Sequence, residues 1–105
     1  MADEVVILDE YSEFALGQLC RLTGLHAEAI VTWVEEGLIE PSSGLGGSPM
    51  DWRFTGTTLA RIQGILRLQH DLALDPAAAA LVLELGEEVE RLRERVRLLE
   101  TLLHE

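Results

Sequence analysis

The apolar residues near the C-terminus recur at alternating steps of three and four positions. Side chains at this spacing share one helix face, so the pattern predicts a long helix with a narrow apolar seam. β-branched residues mostly stand at the first heptad position and leucines at the fourth, which favours two-stranded coiled coils. The pattern therefore predicts a homodimer through Val82, Leu85, Val89, Leu92, Val96, Leu99 and Leu103. The alternative is a helix that folds back onto its own domain.

Local signals indicate where this helix starts and where it is weakest. Asp75 followed by Pro76 is typical of a helix start, since aspartate caps free amide groups and proline suits the first helical position. Beyond them, only Gly86 interrupts helix-forming sequence. Glycine costs about 1 kcal/mol in a helix interior, so we expect any bend or break at this residue.

The N-terminal part of the chain has the pattern of one strand and two short helices. The β-branched run Val5–Leu8 predicts the strand. The first helix is predicted to begin at Ser12 as its cap, with Glu13 in its first turn, and to stop at Gly24. The second is predicted over His26–Glu36, and the tight glycine turn between them indicates a helix-turn-helix unit. The predicted inward residues are Phe14, Leu16, Leu19, Cys20, Leu22, Ile30, Trp33 and Val34.

The middle of the chain connects this unit to the C-terminal helix. Glycine, serine and proline over residues 40–51 predict a loop, and Trp52–Phe54 suits a hairpin strand or wing. A third helix is predicted over Thr57–Leu72, with Leu59, Ile62, Ile65, Leu66 and Leu72 facing inward. The predicted fold is therefore mainly α. A winged helix-turn-helix head with a third helix spans residues 1–74, and a heptad-patterned (coiled-coil) dimerisation helix spans residues 75–105.

The charges are unevenly distributed along the chain. Its 105 residues carry a formal net charge of −11, from eight arginines, no lysine and 19 carboxylates. Residues 1–55 hold two of the arginines and ten of the carboxylates, a net charge of −8. A head charged in this way repels phosphate and attracts basic surfaces. The alternative is that the acidity serves only solubility.

Residues that could carry chemistry are sparse. His26, His70 and His104 are far apart in sequence and lack the paired spacing of zinc ligands. The glycines of residues 44–47 are not followed by the Lys-Ser/Thr of a phosphate loop. Cys20 is predicted to be a small core residue rather than a reactive thiol. We therefore predict that the protein is not an enzyme and holds neither a cofactor nor a metal.

The same composition bears on the compartment. A single cysteine forms no internal disulfide, which suits the reducing cytosol. No apolar run reaches the ~18 residues of a membrane span, and the N-terminus is acidic where a signal peptide is basic. The sequence predicts a cytoplasmic protein that does not contact a membrane.

Three groups of residues, with their spacing, resemble the winged helix-turn-helix of the MerR family. They are Thr23-Gly24-Leu25, Ile30 with Trp33 and Gly37-Leu38-Ile39, and Arg53-Phe54-Thr55. The resemblance implies that Arg53, in the wing, is a residue that contacts DNA. The family usually has arginine at the position of Val31, and basic residues are common at those of Glu35 and Glu36. Because two glutamates beside a phosphate backbone add repulsion, this departure argues against DNA binding.

The C-terminal half is similar to a narrower family. Arg67-Leu68, the Asp-Leu-Ala-Leu-Asp run at residues 71–75, Ala80–Leu85 and Glu88–Leu92 resemble the chaperone-modulator (CbpM) branch of MerR-like proteins. With the head, the likeness extends over nearly the whole chain from Phe14. It implies a protein that binds the J-domain of a DnaJ-like co-chaperone (CbpA) and inhibits it. It also implies a basic partner surface, since J-domains present a basic helix to Hsp70.

These observations leave three possible functions: two specific ones of different classes, and a generic dimerising adaptor. The first is a J-domain-binding modulator that occludes the Hsp70 docking surface. Its binding residues would lie on the exposed side of the second helix: Glu28, Val31, Thr32, Glu35 and Glu36. The second is a MerR-like DNA-binding transcription regulator, which would rely on Arg53 and the dimeric tail.

The charges beside the seam permit two ways of pairing the tails. In a parallel pair, Arg95 faces Glu100 of the other chain. In an antiparallel pair with Val89 opposite Leu92, Arg95 instead faces Glu88 of the other chain. The resemblance to MerR-like dimers favours the antiparallel pair.

Overall fold

Four helices and a two-stranded sheet make up the computed structural model, which describes residues 12–104. The predicted strand Val5–Leu8 lies outside the described residues. The elements are β1 (Glu13–Ala15), α1 (Leu16–Thr23), α2 (Ala27–Glu35), a 3₁₀ turn (Pro49–Asp51), β2 (Arg53–Thr55), α3 (Gly56–Leu72) and α4 (Pro76–Leu103). Contacts divide the chain into two units, Met1–Gly64 and Ile65–Glu105. The prediction of a mainly helical chain with a long C-terminal helix is confirmed.

The first helix begins later than the sequence predicted. Glu13 belongs to β1, which pairs antiparallel with β2 so that Phe14 stands opposite Phe54. Ala15 occupies the cap position of α1, so the predicted Ser12 cap is wrong. A serine cap contributes about 1 kcal/mol, whereas burying a phenylalanine contributes about 1.5–3 kcal/mol. The free energy gained by burying the paired phenylalanines therefore exceeds that of one more capped helical turn.

The end of α1, the turn after it and α2 match the prediction to within one residue. Gly24 ends α1 in the left-handed conformation with φ +80°, and its N–H donates to the Cys20 carbonyl at 2.9 Å. His26 precedes α2 as its cap, and Gly37 follows it with φ +77°. Glycine adopts positive φ at little cost, and this is why Gly24 and Gly37 end their helices as the sequence predicted.

The wing forms as an extended segment held from two sides. β2 pairs with β1 on one side. On the other, the Ser42 N–H donates to the Arg53 carbonyl at 2.8 Å, and the Arg53 N–H donates to the Ser43 carbonyl at 3.1 Å. A side chain at Gly44 would collide with the Asp51 carbonyl, because the backbone at the start of the loop packs directly against the backbone at its end. The predicted loop and wing strand are both confirmed.

An apolar core fills the first unit. Its buried side chains come from both strands, the first three helices and the wing: Phe14, Leu16, Leu19, Ile30, Trp33, Ile39, Trp52, Phe54, Leu59 and Ile62. Cys20, Leu22 and Val34, which were predicted to face inward, are only half-buried. In the second unit Ile65, Ala79 and Ala80 are buried. Leu72 was predicted to be buried, but it ends α3 and is 55% exposed.

The C-terminal helix starts where predicted and does not break. The Asp75 carboxylate accepts a hydrogen bond from the Ala78 N–H at 2.8 Å, and Pro76 is the first helical residue. α4 continues through Gly86 to Leu103, so the break considered at that glycine does not occur. Good helix formers on both sides offset the cost of one glycine.

Candidate functional site

Side chains that could support catalysis do not cluster in the described part of the chain. Within residues 12–104, no group of three or more histidine, cysteine or carboxylate side chains could hold a metal ion. His26, His70 and His104 are exposed, and they lie apart: His26 precedes α2, His70 is in α3 and His104 follows α4. Cys20 is half-buried in α1. The candidates that remain are two exposed surfaces, one on α2 and one on α4.

The outer face of α2 carries the residues that the sequence predicted for partner binding. Glu28, Val31, Thr32 and Glu35 follow helical spacing, so they share the side opposite the buried Ile30 and Trp33. Glu28, Thr32 and Glu35 are exposed, and Val31 is half-buried. Glu36 is also exposed but follows the last helical residue.

Two of these carboxylates occupy a position that does not favour the fold. Glu35 is the last residue of α2 and Glu36 its C-cap, where the backbone carbonyls give the helix its negative end. No basic residue lies in the last turn. Neither glutamate forms an ion pair with any residue that the structure describes. Carboxylates placed here lower the stability of the fold, so Glu35 and Glu36 are candidates for binding a partner.

A shallow apolar groove lies where α2 meets residues 40–51, the loop that precedes β2. We call this segment the wing loop. Its volume is about 290 Å³, and it is lined by Val34, Gly37, Ile39, Glu40, Pro41 and Leu45. Ile39 and Pro41 are buried and form its floor, while Leu45 projects from the loop and is 62% exposed. Sequence reasoning missed this groove because half of its lining belongs to a segment recognised only as a loop.

Arg53, the residue considered for DNA contact, is partly engaged by its own backbone. Its guanidinium donates to the Trp52 carbonyl at 2.9 Å and to the Met50 carbonyl at 3.4 Å. The side chain is exposed on β2, and residues 40–55 contain no other basic residue. The wing therefore offers a single, already hydrogen-bonded cation to a phosphate backbone.

The second surface is the apolar stripe along α4. The seven predicted seam residues, Val82, Leu85, Val89, Leu92, Val96, Leu99 and Leu103, are all exposed in the single chain, by 38–82%. Leu81, Leu98 and Leu102 are exposed as well. Leu81 and Leu102 flank the seam and Leu98 lies further round the helix, all at heptad positions that the three-and-four spacing leaves out, so the pattern did not single them out. Within the described residues, no helix combines the length and the apolarity that crossing a bilayer requires.

Charged side chains pair along the polar side of α4. Glu88 bonds to Arg91, Glu90 lies 3.7 Å from Arg93, and Glu94 lies 2.6 Å from Arg97. The hydrogen bond that Arg91 donates to the Glu88 carboxylate, and then the charge of Glu88, raise the pKa of the Arg91 guanidinium above its ordinary value. Arg95 has no such partner in the part of the chain that the structure describes. It is therefore the arginine of α4 most available to another chain.

Comparisons with known proteins agree on one family. A family model described as MerR HTH family regulatory protein matches residues 14–101. The chaperone modulatory protein CbpM of Coxiella burnetii is 32% identical over 95 residues, which cover 90% of this chain and 87% of that protein. The protein of the same name from Salmonella paratyphi B is 38% identical over 86 residues, which cover 82% of each chain.

Proposed function

The chain belongs to the CbpM family of MerR-like helix-turn-helix proteins, and from this premise we propose that it inhibits a DnaJ-like co-chaperone by binding its J-domain. Modulation of a chaperone system is the role that the names of its relatives support. The finer proposal is occlusion: the acidic head covers the basic J-domain surface on which Hsp70 docks. The relatives are named as modulatory proteins, which fits a binding protein without catalysis.

The observation that carries the proposal is the set of unpaired carboxylates on α2. Glu28, Glu35 and Glu36 are exposed, and none forms an ion pair with a described residue. Two of them stand at the helix end where they disfavour the fold. A basic helix laid along this face would offset that repulsion, because opposite charges across an interface steer encounter and fix orientation.

The proposal includes a homodimer through α4. A single chain leaves the whole seam exposed, and burial of that stripe against a second copy removes the apolar surface from water. We also propose that the protein works in the cytosol, where its single cysteine stays reduced and a J-domain co-chaperone is accessible.

Reversing the charge of Glu35 and Glu36 to lysine should weaken J-domain binding about tenfold or more, mainly through the association rate. The loss should shrink as salt rises, because screening already weakens the attraction in the parent. Association and dissociation rates measured by surface plasmon resonance, at low and physiological ionic strength, test this. Hsp70 should compete with the parent for the J-domain.

The matched control is an Asp71→Lys/Glu87→Lys variant, which changes net charge equally but lies on α3 and α4, where both residues are exposed. It should bind with nearly the parent's affinity. Lysines at the end of α2 also suit the helix dipole, so the free energy of unfolding should stay the same or rise by about 0.3–1 kcal/mol. Parent-like binding by the α2 double reversal would show that α2 is not the docking face.

The alternative function is a DNA-binding transcription regulator, supported by the family model and by the exposed Arg53. We expect no binding of duplex DNA at about 150 mM salt, because phosphate binding relies on counterion release by basic residues that the head scarcely has. Fluorescence anisotropy of a labelled duplex measures this. A Val31→Arg/Glu35→Lys/Glu36→Lys variant should gain salt-sensitive affinity. Micromolar or tighter binding by the parent would favour the alternative.

A further inference from the structure

We infer that the docking surface extends from the outer face of α2 over one flank of the helix, where the partner inserts an aliphatic side chain into the groove between α2 and the wing loop. The occupant is a basic helical segment in which an aliphatic residue stands between cationic ones. The inference rests on the proposed J-domain partner and adds the anchor that charge alone does not supply.

Part of the head's exposed apolar surface lies on this flank. The outer face of α2 offers only the half-buried Val31 among carboxylates and a threonine. Val34 lies one helical turn further on and lines the groove. From there the apolar surface continues over the floor of Ile39 and Pro41 to the wall of Leu45. A continuous apolar strip therefore leads from α2 into the groove.

The size of the groove fits a side chain rather than a free ligand. Its volume of about 290 Å³ lies just below the roughly 300–1,000 Å³ of small-molecule pockets. It is also shallow, with an exposed leucine as one wall. A branched aliphatic side chain from a partner would occupy part of it and cover Leu45, which is otherwise left in water.

The rim of the groove selects a cationic partner. Glu40 is itself part of the lining and is exposed, and it forms no ion pair with a described residue. Glu35 lies on the outer face of α2, one turn from Val31, and is nearer to Val34 and the groove side than Glu36, which lies one turn from Thr32, towards the other side. Glu40 and Glu35 would therefore contact basic residues next to the inserted side chain.

An anchor and a charged rim have different kinetic signatures. Apolar side chains that fill pockets dominate binding energy and slow dissociation, whereas rim charges mainly change the association rate and its salt dependence. The inference therefore predicts that loss of Leu45 speeds dissociation at every salt concentration. It also predicts that Glu35 matters more than Glu36.

Leu45→Ser is the direct test, with Met50→Ser as its matched control. Both residues are exposed on the same loop, by 62% and 78%, but only Leu45 lines the groove. Binding of a purified J-domain should weaken about tenfold for Leu45→Ser through faster dissociation, and stay unchanged for Met50→Ser. A second pair compares Glu35→Lys with Glu36→Lys, and the larger loss of association rate should belong to Glu35→Lys.

The possible results separate the two proposals. If the parent binds the J-domain and Leu45→Ser binds equally well, the groove inference is wrong while the proposed function stands. An equal loss in Leu45→Ser and Met50→Ser would also overturn the groove. If the parent does not bind the J-domain, both proposals fail. Unchanged thermal unfolding of the serine variants is expected, since exposed side chains contribute little to stability.

Discussion

Replacing Leu92 and Leu99 by glutamate should convert a dimer of this protein into a monomer. Both side chains lie in the seam of α4 and are 50% and 56% exposed in the single chain. Covering the exposed half of such a side chain contributes about 1 kcal/mol, and the variant would instead bury unpaired charges against the second copy. We expect association to weaken at least about 100-fold, and sedimentation at tens of micromolar measures it.

The control places the same two charges on the other side of the helix. Thr101→Glu/His104→Glu alters exposed positions outside the seven-residue seam and should leave the dimer intact. Both variants keep the head unchanged, so its thermal unfolding should be that of the parent. A parent that is monomeric at tens of micromolar would refute dimerisation through α4.

The register of the dimer can be read from cross-linking. In a chain whose Cys20 is replaced by serine, Glu88→Cys and Arg95→Cys are made separately. The antiparallel pair predicts efficient disulfide formation when the two variants are mixed and poor formation by either alone, because each Glu88 then faces an Arg95. Arg95 has no ion-pair partner within the described residues of its own chain, which leaves it free for this contact.

Phe54→Ala should destabilise the head by about 3–5 kcal/mol. Phe54 is fully buried in β2, stands opposite Phe14 and meets the ring of Trp52 edge-on, with centroids 6.1 Å apart. A small domain has only about 5–15 kcal/mol of stability in total, so this single cavity removes much of it. Urea unfolding followed by tryptophan fluorescence and circular dichroism measures the loss.

Arg53→Ala is the neighbouring control. Arg53 is exposed on the same strand, and among residues 12–104 its guanidinium bonds only to nearby backbone, so its loss should change stability by no more than about 0.5 kcal/mol. A Phe54→Leu variant, which leaves a smaller cavity, should fall between the two. A loss below about 1 kcal/mol for Phe54→Ala would contradict the central place of this residue in the core.

Features with local causes could be predicted from the sequence. The start of α4 depends on a carboxylate and a proline side by side, and the turn after α1 depends on Gly24. Each is a short-range interaction that operates wherever its residues occur. The shared side of Glu28, Val31 and Glu35 on α2 is equally local, because it follows from helical spacing alone.

Features that depend on distant partners could not be predicted. β1 is three residues long and exists because β2, some forty positions later, pairs with it. Without that partner, the same residues resemble the first turn of a capped helix. The groove beside α2 has the same origin, since Pro41 and Leu45 belong to a loop whose path is set by its bonds to β2. Residue type indicated a loop there, but not which side chains it would present.

The proposed pairing through α4 would tie the stability of this helix to the protein concentration. Residues 84–103 are exposed along their whole length, and the three ion pairs among residues 88–97 are exposed ones worth about 0.2–0.5 kcal/mol each. A helix without a packed face is only marginally stable in water. Its amide protons should therefore exchange rapidly in dilute solution and slowly at concentrations where seams meet. In a cell, the same coupling would let proteases remove the protein when it is scarce and spare it when it is abundant.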